Sequence, residues 1–105
     1  MPLLGDAERA AALAGLRGWT LDQEGRAITR TFRFRDFPAA FAFMTRAALT
    51  AETLNHHPDW SNSYGTVTVR LTTHSAGGLT EKDVRLAQAM DGFAAEEGEG
   101  RPRDA

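Results

Sequence analysis

Residues 28–58 read ITRTFRFRDFPAAFAFMTRAALTAETLNHHP, and the change of period inside this stretch decides the fold. Its first part alternates. Ile28, Phe32 and Phe34 share one parity, with Arg30 as the exception, and Thr29, Thr31, Arg33 and Arg35 take the other. That is a half-buried strand. At Asp36 the period lengthens. Asp36 is a helix N-cap, and Pro38 falls in the first turn, where a missing N–H costs little. Phe37, Phe41, Met44, Ala48 and Ala51 then recur at steps of four and three, with Ala40, Ala47 and Leu54 widening the stripe. This spacing predicts a long amphipathic helix with that stripe towards the core. Pro58 drives His57 out of the α region, so the helix should stop around Asn55 or His56.

Both flanks repeat the pattern. Upstream, Asp6 can cap a short helix through Ala14, which Gly15 and Gly18 end. Trp19 to Asp22 alternates, and Glu24-Gly25 is a turn signal, so this segment and the strand from Ile28 make a hairpin. Downstream, Asp59 to Ser63 reads as a short strand, Tyr64-Gly65 as a turn, and Thr66 to His74 as a second clean alternation with Val67, Val69 and Leu71 on one face. After the flexible Gly77-Gly78 pair, Thr80 reads as an N-cap, Asp83 stands at the capping-box position, and Leu79 and Val84 make a hydrophobic staple. Leu86, Ala87, Met90 and Phe93-Ala94 carry the apolar face of this last helix, which Gly92 weakens by up to ~1 kcal/mol relative to alanine. The order is helix, hairpin, helix, hairpin, helix. It predicts an α+β two-layer domain in which helices cover one face of a four-stranded antiparallel sheet. The domain should span residues 1–97. Residues 98–105, polar and without periodicity, should form a disordered tail.

Bulk properties narrow the function. The chain has 105 residues and a formal net charge of −2. It contains no run of Lys and Arg, which argues against nucleic acid as a partner. Cysteine is absent, which removes disulfides and thiolate chemistry and fits a cytoplasmic setting. The N-terminus lacks the pattern of a signal peptide, and no apolar stretch approaches the ~20 residues of a membrane span.

The chemistry must then come from the three histidines, two of which stand side by side at the helix break. Glu52 and His56 are four residues apart and would be neighbours on a helix, while His57 points elsewhere. His74 ends a strand, and a sharp turn at Gly77-Gly78 would fold Asp83 back towards it. Three imidazoles and two carboxylates therefore gather near element ends, where sites commonly assemble. Imidazole exchanges protons near neutral pH, and a carboxylate on one ring nitrogen fixes the tautomer of the other. With no GxSxG and no phosphate-binding loop, proton transfer is the chemistry this set best supports. Blander readings stand beside it. A His-His pair can simply terminate a helix against its dipole. His74 and Glu52 can be surface residues, Asp83 can be only a capping residue, and Trp60 and Tyr64 can be packing residues. Zinc bound by histidines and a carboxylate, as in a hydrolase, is the sharper rival, although HExxH is missing.

The spacing of Glu52, His56-His57-Pro58, Tyr64, His74 and Asp83 resembles the signature of the pterin-4a-carbinolamine dehydratases, also called 4a-hydroxytetrahydrobiopterin dehydratases. The similarity extends from Gly18-Trp19 through the Ile28–Phe34 strand and the Phe37–Met44 helix opening to THSAGGLTEKDVRLA, and covers roughly residues 16–95. The resemblance implies a four-stranded antiparallel sheet with helices on one side, assembly into dimers or tetramers, and loss of water from a 4a-hydroxytetrahydropterin to give quinonoid dihydropterin. That reaction recycles the pterin of aromatic amino-acid hydroxylases, with the pterin as substrate and with neither metal nor organic cofactor. It further implies His56, His57 and His74 as catalytic residues: His56 and His74 for acid–base work, His57 for holding the substrate, and Glu52 and Asp83 for orienting rings or pterin. Asn55 stands where aspartate is common in animal members, and Lys82 where arginine is common. Relatives of this fold that serve as a dimerisation cofactor of a transcription factor, or in assembly of a carboxylating enzyme, imply a non-catalytic alternative.

Overall fold

The computed structural model describes residues 2–101. In chain order the elements are α1 (Asp6–Ala14), β1 (Thr20–Leu21), β2 (Ile28–Arg33), α2 (Phe37–Leu54), β3 (Asp59–Ser63), β4 (Thr66–Leu71), a short 3₁₀ turn (His74–Ala76) and α3 (Glu81–Glu96). The strands form one antiparallel sheet in the order β1-β2-β4-β3, so the two hairpins meet along β2 and β4. In that central register Ile28 pairs with Leu71, Arg30 with Val69 and Phe32 with Val67, which stacks the apolar parities of both strands on one face. Helices α2 and α3 cover that face. Phe32, Phe43, Ile28, Val67, Val69, Leu71, Leu86 and Met90 are all buried in the single core. The expected α+β two-layer domain is the one observed.

Arg30 shares the core parity, and the structure shows how a charge is accommodated there. Its guanidinium lies 4.2 Å from the centroid of the Phe32 ring and reaches past it to Asp91 (2.5 Å) and Glu99 (2.9 Å). Asp91 also accepts from the Trp19 indole N–H. Glu99 Oε2 accepts from the Arg33 N–H, and the Gly100 N–H donates to the Arg33 carbonyl. Residues 98–101 are therefore held against β2, where the sequence suggested loose tail, because Arg30 needs their carboxylate. The remainder of that expected tail, 102–105, lies outside the described residues.

Helix α2 corrects the predicted stripe. Its buried residues are Ala39, Ala40, Phe43, Ala47 and Ala51. The alanines allow close approach to the sheet, and Phe43 packs on Phe32 and Phe34 at centroid distances of 4.6 and 5.1 Å. Phe37 and Phe41 instead face outward, Phe41 being 56% exposed. Apolar residues occupy two sides of this helix, and periodicity alone cannot choose between them. The outward ridge of Phe41, Met44, Ala48 and Leu49, with Trp60 from β3, lines a surface groove of about 280 Å³.

Candidate active site

The end of α2 sets the histidine corner. Asn55 adopts a left-handed conformation (φ 51°), which asparagine tolerates better than most residues. The His56 N–H then reaches back to the Ala51 carbonyl and the Asn55 N–H to that of Glu52, the paired bonds of a Schellman cap. This reversal turns His56 inward and His57 outward.

His56 is 8% exposed, and its Nε2 lies 2.5 Å from Oδ1 of Asp83, which is fully buried. Oδ2 of the same carboxylate accepts from the Thr73 hydroxyl (2.8 Å) and the Thr80 N–H (2.9 Å). A buried carboxylate is tolerable only when its lone pairs are met. Here three donors from three segments meet them, so the capping residue of α3 is also the partner of the imidazole. Bonding through Nε2 leaves Nδ1 of His56 as the ring nitrogen with no partner among the described residues.

The other two imidazoles repeat the pattern at the surface. His57 Nε2 lies 2.8 Å from Oε1 of Glu52, and His74 Nε2 lies 3.5 Å from Oδ2 of Asp59. Each ring thus offers Nε2 to its own carboxylate. These pairings differ from those the spacing suggested. Glu52 serves His57 rather than His56, because the left-handed Asn55 breaks the i,i+4 relation. Asp83 serves His56 rather than His74, because His74 opens a 3₁₀ turn that swings it outward. Asp59 and Thr73 belong to no motif that marks them as site residues. The available signals were their positions, Asp59 directly after His-His-Pro and Thr73 directly before His74.

The three rings nonetheless belong to one end of the sheet. Thr73, bonded to the Asp83 that holds His56, is the chain neighbour of His74. Asp59, which faces His74, lies two residues beyond His57. A cavity of about 230 Å³ opens beside His74, lined by Glu24, Arg26, Arg70, Thr72, His74 and Gly77. It is bounded by His74 alone of the three histidines. Among the described residues no group of three or more His, Asp or Glu side chains is placed to hold a metal ion.

Comparison with known proteins adds to this geometry. The family model of the pterin 4 alpha carbinolamine dehydratases matches residues 2–93. The chain belongs to this family. A provisionally named pterin-4-alpha-carbinolamine dehydratase of Afipia carboxidovorans is 58% identical over 93 residues, which cover 89% of this chain and 93% of the relative. One of the same name from Rhizobium rhizogenes is 58% identical over 83 residues, covering 79% and 82%. Among solved structures, a transcriptional coactivator/pterin dehydratase from Brucella melitensis superimposes with a TM-score of 0.84 at 48% identity, covering 88% of this chain and 98% of that one. The dehydratase fold and the histidine corner therefore sit in a chain whose relatives bear dehydratase names.

Proposed function

We propose that this dehydratase-family chain removes water from a 4a-hydroxytetrahydropterin, giving the quinonoid dihydropterin, by histidine acid–base catalysis. The observation that carries the reading is the buried Asp83–His56 pair, fixed by Thr73 and Thr80 at the sheet end that also presents His57 and His74. The elimination needs one proton delivered to the 4a-oxygen and one taken from the adjacent ring nitrogen. The nitrogen lone pair forms the new C=N bond as the C–O bond breaks and water leaves. Proton balance is zero, so two imidazoles in opposite protonation states suffice. His56, immobilised through Nε2, and His74, exposed at the cavity, take these two roles, and His57 with Glu52 holds the pterin. General acid–base catalysis contributes typically ~10²–10⁴-fold, or about 3–5 kcal/mol of barrier at 1.36 kcal/mol per decade. The pterin is the substrate, and the product returns to the pterin pool of aromatic amino-acid hydroxylases in the cytoplasm. The test is stopped-flow dehydration of a hydroxylase-generated 4a-hydroxypterin. Acceleration over the spontaneous rate supports the reading, and none rejects it.

A second reading, a binding module of the same fold, is favoured by the coactivator half of the Brucella description and by the outward apolar ridge of α2. Homodimers or homotetramers would cover such a ridge. Light scattering of the purified chain, with Phe41→Glu as the variant, reads this out. An unchanged mass for the variant assigns the ridge no part in assembly. A neighbouring hydroxylase gene favours the enzyme, and a carboxylase operon favours an assembly role.

A further inference from the structure

We infer that Asp59 is a positioning residue for His74, held in place by Arg70, which is tied in turn to Asp22. The inference rests on the reading of His74 as a proton carrier. Asp59 and Arg70 are direct partners in the β3–β4 register, and Arg70 faces Thr29 and Thr29 faces Thr20 across the rest of the sheet. Opposed residues stand on the same face, so this row runs over the side of the sheet that the helices leave open. Along it, Asp22 Oδ2 lies 3.5 Å from Arg70 Nη2, and Asp59 Oδ2 lies 4.0 Å from Arg70 Nη1 and 3.5 Å from His74 Nε2. One carboxylate oxygen therefore faces both the guanidinium and the imidazole. The far end is anchored, because Asp22 Oδ1 accepts from the N–H groups of Arg26 (2.8 Å) and Ala27 (3.3 Å) in the β1–β2 turn.

His74 has most need of such help. His56 is locked by burial and His57 sits at hydrogen-bond distance from Glu52, whereas the His74 side chain is 78% exposed with a carboxylate at 3.5 Å. In open water a pair of this kind is worth little. Arg70 and His74 both line the 230 Å³ cavity, so a flat ring seated there displaces the water that screens them. Catalytic hydrogen bonds that are long without substrate commonly tighten in the bound complex. Asp59 then fixes the Nε2–H tautomer of His74 and aims Nδ1.

The experiment is a double-mutant cycle of Asp59→Asn and His74→Ala in the stopped-flow dehydration assay, joined to ¹⁵N NMR of the His74 ring. His74→Ala is expected to lower the rate at least about tenfold. Asp59→Asn is expected to lower it about fivefold, equivalent to about 1 kcal/mol at 1.36 kcal/mol per decade, with less than about twofold further loss in the His74→Ala background. The same variant should shift His74 from the Nε2–H form towards a mixture of tautomers. A slow His74→Ala beside an Asp59→Asn at wild-type rate overturns this inference and leaves the dehydratase reading intact. Equal losses from Asp59→Asn in both backgrounds also overturn it, since Asp59 would then act without His74. A His74→Ala at wild-type rate removes His74 from catalysis and takes the inference with it.

Discussion

Replacing Asp83 separates what this carboxylate does for the fold from what it does for His56. It is fully buried and accepts from His56 Nε2, the Thr73 hydroxyl and the Thr80 N–H. Asparagine keeps one oxygen for the two Thr donors but turns an NH₂ towards the imidazole. The ring must then accept at Nε2 and carry its proton on Nδ1. A charge-assisted bond of about 1.5–3 kcal/mol becomes a neutral one of about 0.5–1.5, so Asp83→Asn should cost about 1–2 kcal/mol. At about 4–8 °C per kcal/mol for a domain of this size, Tm falls by roughly 5–15 °C. Alanine strands His56 Nε2 and the Thr80 N–H, leaves the Thr73 hydroxyl only its 2.8 Å bond with the Thr80 hydroxyl, and removes the N3 arm of the capping box, which should cost about 3–5 kcal/mol. Thermal and urea unfolding give the stabilities, and ¹⁵N shifts of the His56 ring give the tautomer. A loss of less than about 1 kcal/mol in Asp83→Ala, or a His56 that keeps its Nε2–H form in Asp83→Asn, would refute this role for the carboxylate.

Other variants probe other parts of the molecule. Glu52→Gln should slow dehydration less than His56→Ala, because Glu52 pairs with the exposed His57 and not with the buried His56; steady-state and stopped-flow rates rank the two. Gly92→Ala should raise stability by about 0.5–1 kcal/mol, since the new methyl meets no atom within 4 Å and the helix gains propensity; a urea midpoint reads it. Gly65→Ala should destabilise by about 1–3 kcal/mol, because its Cβ would stand 2.5 Å from the Phe34 carbonyl oxygen, a backbone atom that cannot step aside. The Arg26 N–H, assisted by Ala27, Gly25 and the charge of Arg70, outweighs a smaller desolvation effect and holds the Asp22 carboxyl below its usual 3.8. A depressed folded-state value adds stability above the unfolded pKa and loses it as pH falls through the folded one. Asp22→Asn should therefore lower Tm at pH 7 and lower it progressively less as the pH falls through the folded-state pKa, which thermal scans across acid pH read out.

Strand parity and caps were legible in the residues themselves. The Ile28–Phe34 and Val67–Leu71 alternations, Asp36 as N-cap and the stop at Asn55 all follow from local rules, and they define the sheet and its helical layer. What local rules missed depends on three-dimensional context. Helix α2 is apolar on two sides, so only the sheet decides that Phe43 rather than Phe41 turns inward. Arg30 looked like a misplaced charge until Asp91 and Glu99, far along the chain, supplied its partners. The histidines were easy to single out, but their carboxylates were mispaired. The i,i+4 relation from Glu52 ends at one left-handed residue, and the partner of His74 comes from a neighbouring strand rather than from the next helix.

The most direct measurement is the appearance of quinonoid dihydropterin after rapid mixing of a 4a-hydroxytetrahydropterin with the wild-type chain, His56→Ala and His74→Ala. A rate well above the spontaneous one is expected for wild type, with a drop of at least about tenfold for each folded variant. A wild-type rate equal to the spontaneous one, or variants as fast as wild type, would contradict it.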